Sequence, residues 1–558
     1  MQPVISAEQM REIDRLTTRD YQITSPSLMQ AAAEACFQAI TNHFAGDLTG
    51  KKALLLCGLG NNGGDGAALA LELHRAGVHT DVVLFGRVEQ TRGDAQANLE
   101  IVQRQANIGV GSSAALTLIE CDSAETLGNL TLVSQTYDIV VDALLGTGLS
   151  RPVEGIFLQV VEHLASMRTA RERLMTARPL IVSIDVPSGL NADVAKPIGE
   201  AVAADLTVTF TAPKPANVLP PASHLNGKLV VANIGSPATL IDAAKPQLFV
   251  IEENDARQWL VSTRYTPDSF KNTHGHALVI AGSRGLTGAA VLCGNAAARS
   301  GAGLVTIATP ASAQGAVAAA VMPEVMTTAL AETDRGAVSD EAIDHVVQLA
   351  AKATVIAVGP GLSAEDERTR RFVFSLVKRR TVAIVLDADA LNCLAAYGDG
   401  WPAELQGSEK APLILTPHAG EMLRLLGTTE KSALDDRVTV ARDFATKRKL
   451  ILVLKGARSL IAAPDGRVFI NPTGNAGLGT AGAGDTLTGI IAGFIAQDRA
   501  TLKNNSDALA ATIAALYIGG LAGDLAARAL GMRTMVASDI REHISAAVRL
   551  LDPEGEQP

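Results

Sequence analysis

At 558 residues the chain exceeds what one hydrophobic core spans, roughly 250–300 residues, so two domains are expected. Apolar residues at 47% and charged residues at 19% fit well-packed globular domains and exclude a largely disordered chain. Aromatic residues at 3% and a net charge of −10, from 58 acidic against 48 basic side chains, argue against the stacking platforms and basic surfaces of a nucleic-acid binder.

The chain starts with early acids and no continuous apolar stretch, unlike a secretory or transit peptide. Ser6 with Gln9 three residues on has capping-box spacing and predicts a helix carrying Met10, Ile13 and Leu16 on one face. Short β-branched runs then alternate with helix-patterned stretches, the mark of βαβ units and a mostly parallel sheet. The predicted strands are Ala53–Cys57, Asp81–Phe85, Asp138–Val141, Leu180–Ile184 and Leu206–Phe210. The cluster Arg168 to Arg178 reads as a solvated helix end. From Pro213 the pattern loosens through five prolines, and a linker is expected over 237–248. A second α/β series follows with strands Ala277–Ala281, Leu304–Ala308, Val355–Val358, Val382–Leu386, Leu413–Thr416 and Ile451–Leu454. A hairpin from Ser459–Ala463 and Val468–Ile470 closes it. No uninterrupted apolar run approaches the roughly 20 residues of a membrane span, and five well-separated cysteines read as core thiols of a reduced, cytoplasmic protein.

In the first half, three strands end in polar loops that should converge on one rim, where parallel sheets bind ligands. They are Asn61-Asn62-Gly63-Gly64-Asp65-Gly66 after a Gly-Leu-Gly turn, Asp142 followed by Gly146-Thr147-Gly148-Leu149-Ser150-Arg151-Pro152, and Asp185-Val186-Pro187-Ser188-Gly189. The glycines would let backbone amides approach an anion at a helix N-terminus, although such turns also occur as plain tight connections. Each aspartate alone reads more readily as a turn or cap residue than as a site residue; the three loops together point to a site.

In the second half the same logic selects Gly282 to Ala290, Gly359-Pro360-Gly361, Asp387-Ala388-Asp389, and Thr416-Pro417-His418-Ala419-Gly420-Glu421. The most informative stretch is Asn475 to Gly489, with Gly482-Ala483-Gly484-Asp485 opening an apolar helix. Small residues there expose amides to a phosphoryl group, and Asp485 stands ready to take a proton from an attacking hydroxyl. The competing reading is close helix packing alone.

The first set of motifs resembles the NAD(P)H-hydrate epimerase domain of the bifunctional YjeF family, over Val4 to Ser236. The resemblance implies a Rossmann-like αβα domain at 1–236, with Asn61 to Asp65 and Gly146 to Pro152 holding hydrated NADH or NADPH. It also implies a K+ site from Asn62, Asp142 and Ser188, with Asp185 beside the reacting ring, where a positioned carboxylate can shuttle the proton that inversion at the hydroxyl-bearing carbon requires. An oxygen-rich set suits a hard alkali cation. The second set resembles the ribokinase-like NAD(P)H-hydrate dehydratase domain, at 249–558. There the resemblance implies that Ala289, Gly361, His418 and Asp485 contact the hydrate. Lys455, Gly456, Ala457, Arg458, Ser459 and Gly484 would bind the nucleotide, ADP with Mg2+. Ala419, Asn272, Ala481 and Ala483 depart from the family's commonest pattern. The expected partners are these small molecules and further copies of the chain in a homo-oligomer, with no nucleic acid and no membrane. The alternative is a ribokinase-like small-molecule kinase with a non-catalytic N-terminal binding or dimerisation domain.

Overall fold

The computed structural model describes residues 1–108, 115–122, 136–174, 179–395 and 401–555. The chain divides into two compact units, Pro3–Pro246 and Gln247–Pro558, the latter joined by Met1–Gln2. The expected linker carries a helix, Ala238–Ala243, whose Leu240 and Ile241 pack with Ile5, Met10 and Ile13 of the first unit.

After a short strand β1 (Gln2–Val4), the first unit contains β2 (Lys52–Cys57), β3 (His79–Leu84), β4 (Leu116–Glu120), β5 (Ile139–Ala143), β6 (Leu180–Ile184), β7 (Leu206–Phe210) and β8 (Lys228–Ala232). Strands β2 to β8 form one parallel sheet in the order β4-β3-β2-β5-β6-β7-β8. Alternate residues feed two cores. Leu55, Val82 and Val141 face helices Ser25–His43, Asn61–Arg75 and Gly93–Ile108, while Leu54, Val83 and Val140 face Val160, Val161 and Leu164 of helix Gly155–Leu174. Burial on both faces explains the nearly continuous apolar runs of the central strands. Residues 175–178, which end the basic cluster read as a helix end, lie outside the described residues. The predicted helix near the start is Ala7–Tyr21, with the Ser6–Gln9 capping box formed and Met10 and Ile13 buried.

The chain order reverses between β2, which leads leftward to β3, and β5, which leads on to β6. Such a switch point leaves a crevice at the strands' carboxyl ends, because the connecting helices part to opposite faces.

The second unit contains β9 (Leu248–Val250), β10 (His276–Ile280), β11 (Leu304–Pro310), β12 (Met326–Leu330), β13 (Val355–Val358), β14 (Ala383–Leu386), β15 (Leu413–Leu415), β16 (Ile451–Leu454), β17 (Leu460–Ala462) and β18 (Val468–Ile470). Its order is β9-β18-β17-β16-β15-β14-β13-β10-β11-β12. The run from β16 to β12 is parallel, and the hairpin β17–β18 adds antiparallel strands beside β16. Helices Glu253–Ser262, Thr287–Arg299, Ala483–Leu502, Ala508–Leu530 and Ala537–Leu551 share one core with Val279, Val355 and Val385. Helix Ala508–Leu530 is 23 residues with a mean hydropathy of 1.6, long and apolar enough to cross a membrane by length and composition. It is largely buried and packs against Ala483–Leu502 and Ala537–Leu551, which accounts for its apolarity as a core helix. The switch point of this sheet lies between β10 and β13.

All five cysteines are buried and free. The strands overlooked in the sequence are β1, β4, β8, β9 and β12, short or half-exposed strands that lack the full burial of the central ones.

Candidate active sites

The first unit's switch point opens into a cavity of about 760 Å³, within the range of small-molecule sites, ~300–1,000 Å³. Its wall takes Asn61, Asn62 and Asp65 from the loop and helix after β2, Gly146 to Gly148 from the loop after β5, and Asp185 from the end of β6. Leu149, Ser150, Arg151 and Pro152 continue that second loop beyond the wall, where Pro152 packs toward Gly199.

The glycine-rich motif after β2 differs from the sequence reading in one respect. Asn61 to Gly66 already form the first turns of helix Asn61–Arg75, which starts from Gly60 without a side-chain cap. A Cβ on Gly63 would lie 1.8 Å from Gly58 O. One on Gly64 would meet Ala95 Cα at 2.8 Å, and one on Gly66 would meet Ala143 Cβ at 2.6 Å. These three glycines let the helix press onto its strand and neighbours. Anion-facing backbone is limited to the uncapped first-turn amides from Asn61 to Gly63, ahead of the first helical bond from Gly64 N to Gly60 O.

Asp142, at the end of β5, is completely buried. Its carboxylate accepts from Ser188 Oγ at 2.5 Å, Ser183 Oγ at 2.8 Å, Ser188 N at 2.9 Å and Leu144 N at 3.4 Å. Burial pushes this carboxyl above its ordinary value, and the hydrogen bonds from Ser188, Ser183 and Leu144 oppose the rise. Ser188 Oγ also bridges to the backbone of Leu145, accepting from its N at 2.9 Å. Asn62 lies against Gly146, the next residue of that loop, and its Nδ2 is buried with no hydrogen-bond partner among the described residues. An unpartnered buried amide is costly unless something else satisfies it. The structure therefore joins Asp142 and Ser188 directly and sets Asn62 against the loop after β5. Amide, carboxylate, hydroxyl and the Leu145 carbonyl together offer the hard oxygen donors an alkali cation takes.

Asp185 has φ of +65°, a strained conformation for a residue with a side chain. Its carboxylate accepts from Lys214 Nζ at 2.5 Å and from Thr209 Oγ1 at 2.9 Å. Lys214 is 1% exposed, and Asn217 fixes the backbone of both, accepting from Lys214 N at 2.9 Å and donating to Asp185 O at 3.3 Å. Sequence reasoning missed Lys214, Thr209 and Asn217. Lys214 sits between two prolines in a stretch read as loosening structure; a lysine held by prolines on both sides was the available signal.

In the second unit, the turn after β10 and the turn after β13 meet. Ser283 Oγ donates to Gly361 O at 2.9 Å, and a Cβ on Gly361 would lie 3.0 Å from Ala289 Cβ. Asp387, after β14, is 1% exposed and accepts from Lys455 Nζ at 2.6 Å and Thr488 Oγ1 at 2.7 Å. Lys455 Nζ also lies 3.9 Å from Glu421. Gly484 faces the same group, its absent Cβ 3.3 Å from Lys455 Nζ and 3.6 Å from Asp387 Oδ2. The Lys455 ammonium thus ties β16 to β14.

Asp485 stands in the first turn of helix Ala483–Leu502, entered through Gly482 with φ of +82°, a turn that favours glycine. Burial pushes the Asp485 carboxyl up to about 6, with Asp387 adding to the rise and Lys455 opposing it. Further along this helix, a Cβ on Gly489 would lie 2.1 Å from Cys293 O, so small residues beyond the first turn serve helix packing.

His418 caps helix Ala419–Leu425. Its Nδ1 accepts from Gly420 N at 3.0 Å and Glu421 N at 3.4 Å, which leaves the proton of the neutral ring on Nε2. The loop Lys455 to Ser459 turns at Gly456 and Arg458, with φ of +149° and +53°. Arg437, absent from the sequence reading, holds it by donating to Ala457 O at 2.9 Å and Leu454 O at 3.4 Å.

Residues 25–216 match the YjeF-related protein N-terminus, and residues 277–546 match NAD(P)H-hydrate dehydratase. Among solved structures, the ADP/ATP-dependent NAD(P)H-hydrate dehydratase of Bacillus subtilis, co-crystallised with ATP and Mg2+, is 29% identical with a TM-score of 0.45, covering 54% of this chain and 98% of that one. A bifunctional NAD(P)H-hydrate repair enzyme of Moorella thermoacetica is 40% identical over 553 residues, 99% of this chain and 98% of that protein. The protein of the same description from Thermofilum pendens is 34% identical over 551 residues, 98% of this chain and 96% of its own length. With both halves matched and the likeness running from end to end, the chain belongs to the family of bifunctional NAD(P)H-hydrate repair enzymes.

Proposed function

We propose that the first unit interconverts the two epimers of hydrated NADH or NADPH and that the second dehydrates one of them at the expense of ADP. The observation that carries this reading is that each unit gathers aspartates at the carboxyl ends of its own parallel strands. Two separate sheets thereby supply two separate sites.

At the first site, Asn61 to Asp65 and Gly146 to Pro152 hold the dinucleotide, with the uncapped helix start facing its phosphates. Asn62, Asp142 and Ser188 would hold K+, which supplies a fixed positive charge and orders the loop after β5. The orphaned Asn62 amide supports this, since turning it places its carbonyl oxygen toward a cation. Asp185, ion-paired to Lys214, is placed to stabilise positive charge on the reacting ring.

At the second site, Ala289, Gly361 and His418 position the hydrate. The loop Lys455, Gly456, Ala457, Arg458, Ser459 and the turn at Gly484 cradle the nucleotide. Lys455 reaches that role from its ion pair with Asp387. Asp485 takes the proton from the ring hydroxyl as its oxygen attacks the terminal phosphorus of ADP, and AMP departs. The phosphate then leaves with the C–O electron pair, loss of a neighbouring ring proton completes the dihydronicotinamide, and inorganic phosphate is released. Phosphorylation is needed because hydroxide is a poor leaving group. Mg2+ neutralises charge on the nucleotide oxygens when bound. Among the described residues no cluster of three His, Cys, Asp or Glu side chains forms a metal cage, which suits an ion carried in by the nucleotide. The buried free thiols support a reducing, cytoplasmic setting.

The test uses both epimers with ADP and Mg2+, following regain of reduced-nicotinamide absorbance. Asp142→Ala should dehydrate the accepted epimer at the normal rate and stall on the other, converting it only spontaneously. Replacing K+ with a large organic cation should reproduce that stall in the unmutated protein. Loss of both conversions in folded Asp142→Ala protein would show that the sites are coupled and overturn the division of labour.

A further inference from the structure

Lys214, Arg11 and Arg15 line the cavity of the first unit, Arg15 paired with Glu12, together with three carboxylates: Asp185, which holds Lys214, and two others, Asp14 and Asp65. Lys214 has nothing left to offer the other two. Its three protons go to Asp185 Oδ1 at 2.5 Å, Thr209 Oγ1 at 3.0 Å and Phe210 O at 3.1 Å. Asp14 comes from helix Ala7–Tyr21, which lies outside residues 25–216 that match the N-terminal family. Its Oδ1 is buried with no hydrogen-bond partner among the described residues. A buried carboxylate oxygen without a donor is costly as an anion, and protonation relieves that cost.

We propose that Asp14 is a catalytic acid and base of the epimerisation, working opposite the Lys214-paired Asp185; this rests on the epimerase reading of the cavity. The protonated Asp14 carboxyl gives its proton to the ring hydroxyl as the C–O bond breaks. The lone pair of the ring nitrogen forms a C=N bond, and water departs from a carbon that is now planar. Water then attacks the other face, a new C–O bond forms, and the C=N electron pair returns to nitrogen. The surplus proton passes back to the Asp14 carboxylate by way of the released water. Nothing is oxidised or reduced, and the acid ends as it began. Asp185, held by Lys214, is the anion that accompanies the transient positive ring.

The groups facing Asp14 are Asp185 and Lys214 from the loops after β6 and β7, Asp65 from helix Asn61–Arg75, and Arg11 and Arg15 of its own helix. Burial pushes the Asp14 carboxyl up to about 6, Lys214 opposing and Asp185 adding to the rise. A group titrating there exchanges its proton readily near neutral pH.

The experiment measures interconversion of the two separated epimers by the full chain, with spontaneous conversion subtracted, across pH. The dehydration rate of the accepted epimer in the same samples reports on the intact second unit. Asp14→Asn is expected to lower epimerisation at least ~100-fold, the scale of a lost general acid, with dehydration unchanged. Asp14→Glu should restore part of the rate, and the fall of the wild-type rate as pH rises through about 6 should be missing from Asp14→Asn. Epimerisation by Asp14→Asn within threefold of wild type overturns the role of Asp14 and leaves the epimerase reading standing. Equal losses in the Asn and Glu variants with a lowered Tm assign Asp14 a structural role and overturn it too. No epimerisation by the wild-type chain overturns the epimerase reading itself.

Discussion

Gly63 and Gly482 stand at the starts of two helices that leave the two sheets at their ligand-facing ends, and they are glycines for different reasons. Gly63 is fixed by contact, since a Cβ there would lie 1.8 Å from Gly58 O. Gly482 is fixed by its backbone, with φ of +82° at the entry to the turn that presents Asp485. In the first unit the glycines bring a helix against its strand, so that Asn62 and Asp65 reach the cavity. In the second they shape the turn itself. Similar composition therefore reports packing in one place and turn geometry in the other, and only the neighbouring chain distinguishes them.

The sharpest way to break this comparison is Gly63→Ala. Overlap with backbone cannot be relieved by a rotamer change, so a loss of more than ~3 kcal/mol is expected from the first unit. Gly479→Ala, with nothing within 4 Å of the added Cβ, should leave both units' melting unchanged. Equal thermal stability of the two variants would remove the packing account.

The next effect is catalytic. Asp485→Asn keeps the turn and removes the base, so dehydration should fall ~100-fold or more while nucleotide still binds and epimerisation continues. Near-normal turnover would take Asp485 out of the chemistry. A smaller effect follows from pH. Because Asp485 accepts a proton only when ionised and titrates near 6, dehydration should fall as pH drops through about 6, roughly tenfold per unit below it. A rate flat down to pH 4.5 in intact protein would contradict this.

The smallest effect is on stability. Burial raises the Asp485 carboxyl from 3.8 to about 6 in the folded chain, so the folded state binds the proton more tightly than the unfolded one. Stability from this group is present at low pH and is lost as pH rises from about 4 through about 6. At neutral pH, Asp485→Asn should therefore stabilise the second unit, by about 1 kcal/mol after allowance for solvent screening. A lower melting temperature for this variant at pH 7.5 would count against a buried, uncompensated charge.

Much of the fold was legible because the central strands are buried on both faces. The runs at Leu180–Ile184, Leu206–Phe210, Val355–Val358 and Ile451–Leu454 are strands with those bounds. The edge strands were not legible: Met326–Leu330 mixes polar and apolar residues on a half-solvated surface, and the short apolar run of Lys228–Ala232 lies in the proline-rich stretch read as loosening structure. In the sites, the aspartates after β5, β6 and β14 stood out because each ends an apolar run. Lys214 and Asp14 did not. Asp14 sits on an amphipathic helix where one acid among several polar residues looks like a solvated face. The charged groups that face it, Asp185 and Lys214, come from loops more than a hundred residues later. Arg437 was hidden for the same reason, its partners being carbonyls of a distant loop.

The order of elements in the second unit bears on how it is made. Its last strand, β18, ends at Ile470, and the helices Ala483–Leu502, Ala508–Leu530 and Ala537–Leu551 that cover one face of the sheet all come afterwards. A nascent chain thus exposes every strand of this sheet while the layer that shields Val279, Val355 and Val385 consists only of Glu253–Ser262 and Thr287–Arg299. Through that interval the growing polypeptide carries an open apolar surface, the kind that holding chaperones engage and that drives aggregation when they are scarce. Translation pausing before residue 508, or a premature stop there, should accordingly yield insoluble product in place of a partly active fragment.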